Sequence, residues 1–291
     1  MITGLVPPCN TVADIGTDHG FVPVFLVREG IAKRAIAADI GEGPLERARE
    51  HVAERGLSDR IECRLGDGLQ VLSPGEADVL IIAGMGGLLM ISILEAGLSV
   101  AERAEKLILS PHTDIPKVRE WLFLHRFCIE NEQMTEEDGK FYTALVCRPK
   151  TAKFEVTGEN GGDGGKRAPE GTAGETNGTD GSETLSADEI RFGPCLLRER
   201  PAVFLRCLRR EERNLHEIIS GMDREIETEA GGMERASGNP ETEREKGASE
   251  ASETVKHKKR ATRRERLESA RSARLKELLK IREILGESEP V

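Results

Sequence analysis

Asp14, Gly16, Asp18 and His19 fall close together in Val12-Ala13-Asp14-Ile15-Gly16-Thr17-Asp18-His19-Gly20-Phe21-Val22-Pro23, and their types restrict what a ligand there can carry. A glycine at the end of an apolar strand lets backbone approach a ligand that a Cβ would push away. Gly16 matches the first glycine of the dinucleotide pattern G-x-G-x-x-G, but Asp18 stands at the second. A carboxylate facing a pyrophosphate repels it, which argues against NAD or FAD. The same carboxylate suits a cofactor with a cationic centre and an ammonium group, and S-adenosyl-L-methionine has both. Asp39 follows Asp14 by 25 positions, close to the spacing of about twenty at which an acid accepts hydrogen bonds from ribose hydroxyls in doubly wound folds. Its alternative is the N-cap of the next helix.

The elements that must position these residues follow from apolar runs and turn residues. Residues 11–15, 35–40, 61–65, 77–83 and 107–109 are predicted strands, and 141–148 an edge strand. Residues 22–29, 44–55 and 115–126 are predicted helices, the first entered through Pro23. The near-continuous apolar run 77–83 fits a sheet covered on both faces and delivers Gly84-Met85-Gly86-Gly87 to the site. The expected architecture is an α/β Rossmann-like sheet over 1–150.

Beyond residue 150 the composition changes. Residues 151–190 are expected to form a Gly/Glu/Thr-rich disordered insertion, because so few apolar side chains cannot offset the entropy of ordering it. From Pro201 onward Leu205, Leu208, Leu215, Ile219, Met222 and Ile226 recur at coiled-coil spacing. Glu212 falls on that seam and should weaken it. A helix over 255–285 with Leu267, Leu278, Ile281 and Leu285 supplies a partner, giving an antiparallel coiled-coil hairpin within 191–291, its disordered loop near 230–253.

Asp14-Ile15-Gly16-Thr17-Asp18-His19-Gly20-Phe21-Val22-Pro23, Gly43-Pro44-Leu45-Glu46, Gly66-Asp67-Gly68-Leu69 and Ile82-Ala83-Gly84-Met85-Gly86-Gly87 together resemble the bacterial tRNA (adenine-22-N1)-methyltransferase family, in that family's order. Leu107-Ile108-Leu109-Ser110-Pro111, Val118-Arg119-Glu120-Trp121-Leu122, Glu137-Asp138-Gly139-Lys140-Phe141-Tyr142 and Phe192-Gly193-Pro194-Cys195-Leu196-Leu197 resemble its later blocks. Gly20 and Phe21 depart from it, standing where the family often has Ala and Tyr. The resemblance implies a class I, S-adenosylmethionine-dependent methyltransferase acting on N1 of an adenosine in tRNA. It favours the ribose role for Asp39 and implies that Asp67, followed by Gly68, meets the cofactor's adenine; an ordinary Asp-Gly turn is the plainer reading. Amino-methyltransferases often hold the target nitrogen with an Asn/Asp-Pro-Pro-Tyr turn, whereas Gly84, Met85 and Gly86 leave the holding to backbone. The expected cofactor contacts are therefore Asp14, Gly16, Asp18, His19, Asp39, Asp67, Gly68, Gly84, Met85 and Gly86.

Adenine N1 has its own lone pair, so its attack on a sulfonium methyl needs positioning and charge stabilisation rather than a strong base. Asp18 is the candidate to support the cationic ring, and His19 either orients Asp18 or fixes the turn. Phe21 is either a ring on which the extruded base stacks or filler at a helix start. The cationic run containing Arg260, Arg263, Arg264 and Arg266 is either a solvated helix face or an RNA contact, and its single sign favours RNA in a chain of net charge −10. Two rival functions remain: the same fold acting on another base or a small amine, and a non-catalytic RNA-binding relative. Cys9, Cys63, Cys128, Cys147, Cys195 and Cys207 form no C-x-x-C pair, which predicts reduced thiols and no metal. No apolar run is long enough for a bilayer. The expectation is a cytoplasmic monomer or weak dimer with tRNA as partner and no membrane association.

Overall fold

The computed structural model describes residues 1–150, 184–234 and 250–287, which divide into two compact units, Met1–Glu199 and Arg200–Val291. In the first unit, strand β1 (Cys9–Ile15) leads to helix α1 (Phe21–Arg28), β2 (Ala32–Asp39) to α2 (Glu42–Glu54), and β3 (Ile61–Leu65) to a short 3-10 turn at Gly68–Val71. Strand β4 (Val79–Met85) is followed by α3 (Gly87–Ala96) and α4 (Leu98–Ala101), and β5 (Lys106–Pro111) by α5 (Ile115–Leu124). Strands β6 (Phe127–Glu137) and β7 (Lys140–Pro149) form a hairpin, and α6 (Ala187–Phe192) and α7 (Pro194–Glu199) complete the unit.

One seven-stranded sheet runs in the order β3-β2-β1-β4-β5-β7-β6. Strands β1 to β5 are mutually parallel where they pair, and β7 lies antiparallel to both β5 and β6. Because both faces are covered, adjacent residues of one strand enter different cores. Ala13 and Ile15 join Leu80, Ile82, Met90 and Trp121 on one face, while Val12 joins Val24, Leu26, Val52 and Ile81 on the other. This explains why β1 and β4 carry apolar runs instead of an alternating pattern. The chain crosses from one side of β1 to the other between β3 and β4, so the carboxyl ends of β1 and its two neighbours border the crevice where ligands of such sheets bind.

Two expectations require correction. Residues 141–148 are not an edge strand: β7 lies between β5 and β6, and the edge is β6, which its polar sequence did not announce. Ala187–Phe192, assigned in part to the insertion, is a helix. The Ser186 side chain accepts from Glu189 N–H while the Glu189 carboxylate accepts from Ser186 N–H, closing a capping box. The rest of the expected insertion, 151–183, lies outside the described residues, as does 235–249 of the loop expected near 230–253, whose residues 230–234 and 250–253 are helical instead.

The boundary at Glu199, rather than at 190, has a physical cause. Arg119 on α5 and Glu132 on β6, each 2% exposed, form an ion pair with Nε to Oε1 at 2.7 Å. Arg119 also donates to the carbonyls of Ile190 and Arg191, and Glu132 accepts from the N–H groups of Cys195 and Leu196. Gly193, at φ +101°, lies so close that a Cβ would come within 2.4 Å of the Glu132 carboxylate. Helices α6 and α7 are thereby fastened to the sheet.

The second unit contains α8 (Ala202–Glu234) and α9 (Glu250–Leu285). Leu208, Leu215, Ile219, Leu278 and Ile281 are buried, and Phe204 is buried where Leu205 was expected. Ion pairs Glu212–Arg282, Asp223–Arg271 and Glu229–Arg263 join the two helices with residue numbers running oppositely, so the helices are antiparallel. Glu212 on the seam is met by Arg282 at 3.6 Å, too long for a hydrogen bond.

Candidate functional site

The residues singled out from the first motif gather where β1 and β2 end. Gly16 and Thr17 both donate their N–H to the carbonyl of Ala38 at 2.9 Å, tying the turn after β1 to the end of β2. Gly16 adopts φ +76°, and an added Cβ would lie 2.9 Å from the terminal methyl of Met85. The turn after β4 therefore lies across the turn after β1, and a glycine is required between them. Asp14 is buried beneath this turn. Burial pushes its carboxyl up to about 6, the Thr17 hydroxyl opposes the rise, and Asp39 adds to it. Although near enough to influence Asp14, Thr17 Oγ1 is buried without a hydrogen-bond partner of good geometry among the described residues. Such an orphan is costly unless a ligand or water satisfies it.

Asp39 ends β2 with one carboxylate oxygen accepting from Gly41 N–H at 2.7 Å. Gly41, not Asp39, is the N-cap of α2. Asp67 is exposed at the end of β3 and makes no hydrogen bond to the described chain through its side chain, while Gly68 takes φ +55° against Ile93. Two apolar side chains flank these acids, Ile40 at 71% and Leu65 at 48% exposed. Sequence reasoning passed over both, since an apolar residue at a strand end looks like any other strand residue until its exposure is known.

The second part of the motif belongs to α1 and α2. His19 takes φ +59° and Gly20 φ +64°, so two left-handed residues precede α1; at His19 that conformation is strained. A Cβ on Gly20 would sit 3.3 Å from that of Ala48, which explains a glycine where α1 meets α2. The Asp18 carboxylate faces His19 Nε2 at 3.4 Å and Arg47 at 3.3 Å, in an exposed arrangement. His51 Nδ1 lies 2.9 Å from the His19 carbonyl. A carbonyl only accepts, so this nitrogen carries the hydrogen. Phe21 is 61% exposed, its ring stacked on His19 at 5.4 Å and edge-on to His51 at 4.9 Å. It is not core filler. Arg47 and His51 carry no signal in the sequence, because they reach the motif only through the packing of α2 on α1.

Around the turn after β4, His112 N–H donates to the Met85 carbonyl at 2.8 Å and Gly87 N–H to that of Thr113 at 3.0 Å. Gly84 takes φ +79° with open space where a Cβ would be, and Gly86 lies against the Thr113 hydroxyl. His112 and Tyr142 form an edge-to-face pair at 5.7 Å beside this turn. The segment after β5 thus braces the turn, through the backbone of His112 and Thr113 and the Thr113 hydroxyl.

The cationic helix lies in the other unit. Arg263 pairs with Glu229 at 3.2 Å and Arg264 with Glu268 at 2.8 Å, while Arg266 is exposed. The Arg260 side chain lies outside the described residues. Among the described residues no helix is long and apolar enough to cross a membrane, and no cluster of His, Cys, Asp or Glu could hold a metal ion. The six cysteines, all among the described residues, form no disulfide.

A family model described as a methyltransferase domain matches residues 1–145. The chain is 35% identical to the tRNA (adenine(22)-N(1))-methyltransferase of Bacillus subtilis over 77% of its own length and 84% of that protein's. Among solved structures, the B. subtilis m1A22 tRNA methyltransferase superposes with a TM-score of 0.65 at 27% identity, covering 98% of this chain and 95% of that one. A Streptococcus pneumoniae candidate tRNA (m1A22) methyltransferase in complex with S-adenosyl-L-methionine gives a TM-score of 0.61 at 33% identity, covering 75% and 87%.

Proposed function

The chain belongs to the tRNA (adenine(22)-N(1))-methyltransferase family, and from that premise we propose how its own residues carry a methyl group to N1 of adenosine 22. It is an S-adenosyl-L-methionine-dependent methyltransferase with tRNA as substrate. The cofactor supplies an electrophilic methyl on a sulfonium centre. The observation that carries the reading is the gathering of Gly16, Asp39, Asp67 and Met85 at the carboxyl ends of β1 to β4, with the buried hydroxyl of Thr17 left unpaired in the turn after β1.

In this reading Asp39 keeps one oxygen on Gly41 and offers the other to the ribose hydroxyls. Asp67 accepts from the cofactor's adenine amino group, with Ile40 and Leu65 offering that ring apolar cover. Asp14 and Thr17 face the amino-acid end, where a buried carboxylate attracts an ammonium group. Gly16, Gly68, Gly84 and Gly86 keep the backbone free of side chains that would occupy the same space, and Met85 bridges the two turns. Asp18 supports positive charge on the target adenine, held by His19 and Arg47 until the base arrives. Because Arg47 offsets its charge at rest, Asp18 acts most strongly if the incoming base displaces that exposed pair, which is held only weakly. Phe21, already stacked on one histidine, offers its open face to a base. Arg260, Arg263, Arg264 and Arg266 belong to the proposed RNA surface. A cytoplasmic monomer or weak dimer is the state in which these parts suffice.

The test is methylation of unmodified transcribed tRNA by the full chain, with the modified base mapped by mass spectrometry. Methyl transfer confined to N1 of adenosine 22 supports the reading. Cofactor binding without transfer would favour the non-catalytic relative, and methylation of another base would move the specificity elsewhere.

A further inference from the structure

The turn Gly84-Met85-Gly86-Gly87 has no side-chain amide or ring with which to grip a base, yet a residue hydrogen-bonded to it, His112, carries a ring that meets a second ring, Tyr142 of β7. His112 follows β5 and is fixed to the turn by the hydrogen bond from its N–H to Met85. Tyr142, the only tyrosine of the chain, lies on β7, whose neighbour Thr143 accepts from the Ser110 hydroxyl of β5 at 3.1 Å. The two rings meet edge to face, centroids 5.7 Å apart and planes at 67°. Neither is taken into the core: His112 is exposed and Tyr142 half-buried. Two aromatic side chains kept at the ligand-binding edge contribute little to packing there.

We infer that His112 and Tyr142 form the wall that receives the target adenine beside the β4 turn, with Tyr142 as a ring that contacts the base in addition to Phe21. This rests on the proposed methylation of adenine N1. N1 lies on the Watson–Crick edge, so the base must leave its stack before it reacts, and a waiting ring returns part of the lost stacking. The product ring is cationic. An electron-rich phenol face attracts a cation more than a neutral ring, so the contact strengthens as the methyl arrives, which is where an interaction accelerates the reaction. His112, edge-on to Tyr142 and tied to the turn, sets the position of that face.

The experiment uses the full chain with transcribed tRNA, comparing wild type with Tyr142→Phe, Tyr142→Leu and His112→Ala. It reads kcat and KM for tRNA alongside cofactor affinity by calorimetry. Tyr142→Leu should lower kcat/KM by about tenfold or more, as removal of one base–ring stack implies, while Tyr142→Phe, which keeps the ring, stays near wild type. His112→Ala should lower the same ratio, and cofactor affinity should hold in all three. With 2-aminopurine at position 22, wild type should quench the fluorescence of the extruded base more than Tyr142→Leu does. Wild-type kcat/KM in both Tyr142→Leu and His112→Ala would overturn the inference, as would equal losses in Tyr142→Phe and Tyr142→Leu, which would point to the hydroxyl instead. If Tyr142→Leu proves unfolded by circular dichroism, the exposed His112→Ala decides, a wild-type kcat/KM there overturning the inference. A wild-type chain that leaves adenosine 22 unmethylated defeats the proposed function itself, a result distinct from active variants.

Discussion

Asp14 ties the chemistry of the site to pH. Its folded value of about 6 lies above the roughly 3.9 of an unfolded aspartate, so the folded chain binds more protons between those values. Stability without cofactor should therefore fall as pH rises from about 4 to 6, and Asp14→Asn should remove that part of the slope, measured by urea denaturation across the window. Cofactor affinity should move the other way, rising as Asp14 ionises and meets a cation, and the Asn variant should flatten the curve in calorimetry. Asp39 and Asp67 differ in a second respect. Asp67→Ala should weaken cofactor binding by about 1 to 3 kcal/mol with an unchanged melting temperature, whereas Asp39→Ala should also lower stability, because Gly41 N–H loses its partner. Equal melting temperatures with unchanged affinity would remove both from the cofactor site. Asp39 was legible because it ends an apolar strand at a spacing fixed by the sheet, whereas Asp67 was legible only through the family resemblance. Arg47, His51, His112 and Tyr142 were not, since what matters about them is which distant element they touch.

Elements were legible where burial makes a pattern. Strand β4 announces itself by an unbroken apolar run and β1 and β2 by shorter ones, but β6 alternates poorly and holds the buried Glu132. A charge there signals a loop to any reading of periodicity, and only the guanidinium of Arg119 makes it tolerable. Glu132→Gln should accordingly destabilise the first unit by about 3 kcal/mol, the scale for stripping one partner from a buried pair. Replacing Arg119 by Met and Glu132 by Leu together should cost more than that single change, because it also removes the partners of the Ile190 and Arg191 carbonyls and of the Cys195 and Leu196 N–H groups, as chemical denaturation would show. The hairpin poses the opposite case, for its basic run was plain to see while its partners were not. The exposed pair Arg264–Glu268 is weak, and Arg263 is itself exposed although its partner Glu229 is half-buried, so phosphate can compete for both arginines. Charge-neutral variants of Arg263, Arg264 and Arg266 should weaken tRNA binding and flatten its dependence on salt by about 0.9 for each phosphate no longer neutralised. An unmoved slope in filter-binding titrations would return the run to a role inside the hairpin.

Taken whole, the molecule's class was visible from the first motif and the order of the blocks, because a parallel sheet forces its ligand to the carboxyl ends of its strands. Where the first unit stops was not visible, since composition marks where apolar residues thin out but not which later helix returns to the sheet. That return has a practical side. The chain leaves β7 at Pro149, paired with Phe127 of β6, and comes back at the capped Ser186, while Lys150 and Thr184 line one cavity. Both ends of residues 151–183 are thus anchored independently, and the entropy of closing whatever joins them grows only slowly with its length. The span should behave as a splice site. A short Gly-Ser bridge in place of 151–183, or a small fluorescent domain grafted into it, should leave the melting temperature and methyl transfer within experimental error of the parent chain, and so provides a handle for labelling the enzyme without touching its working parts.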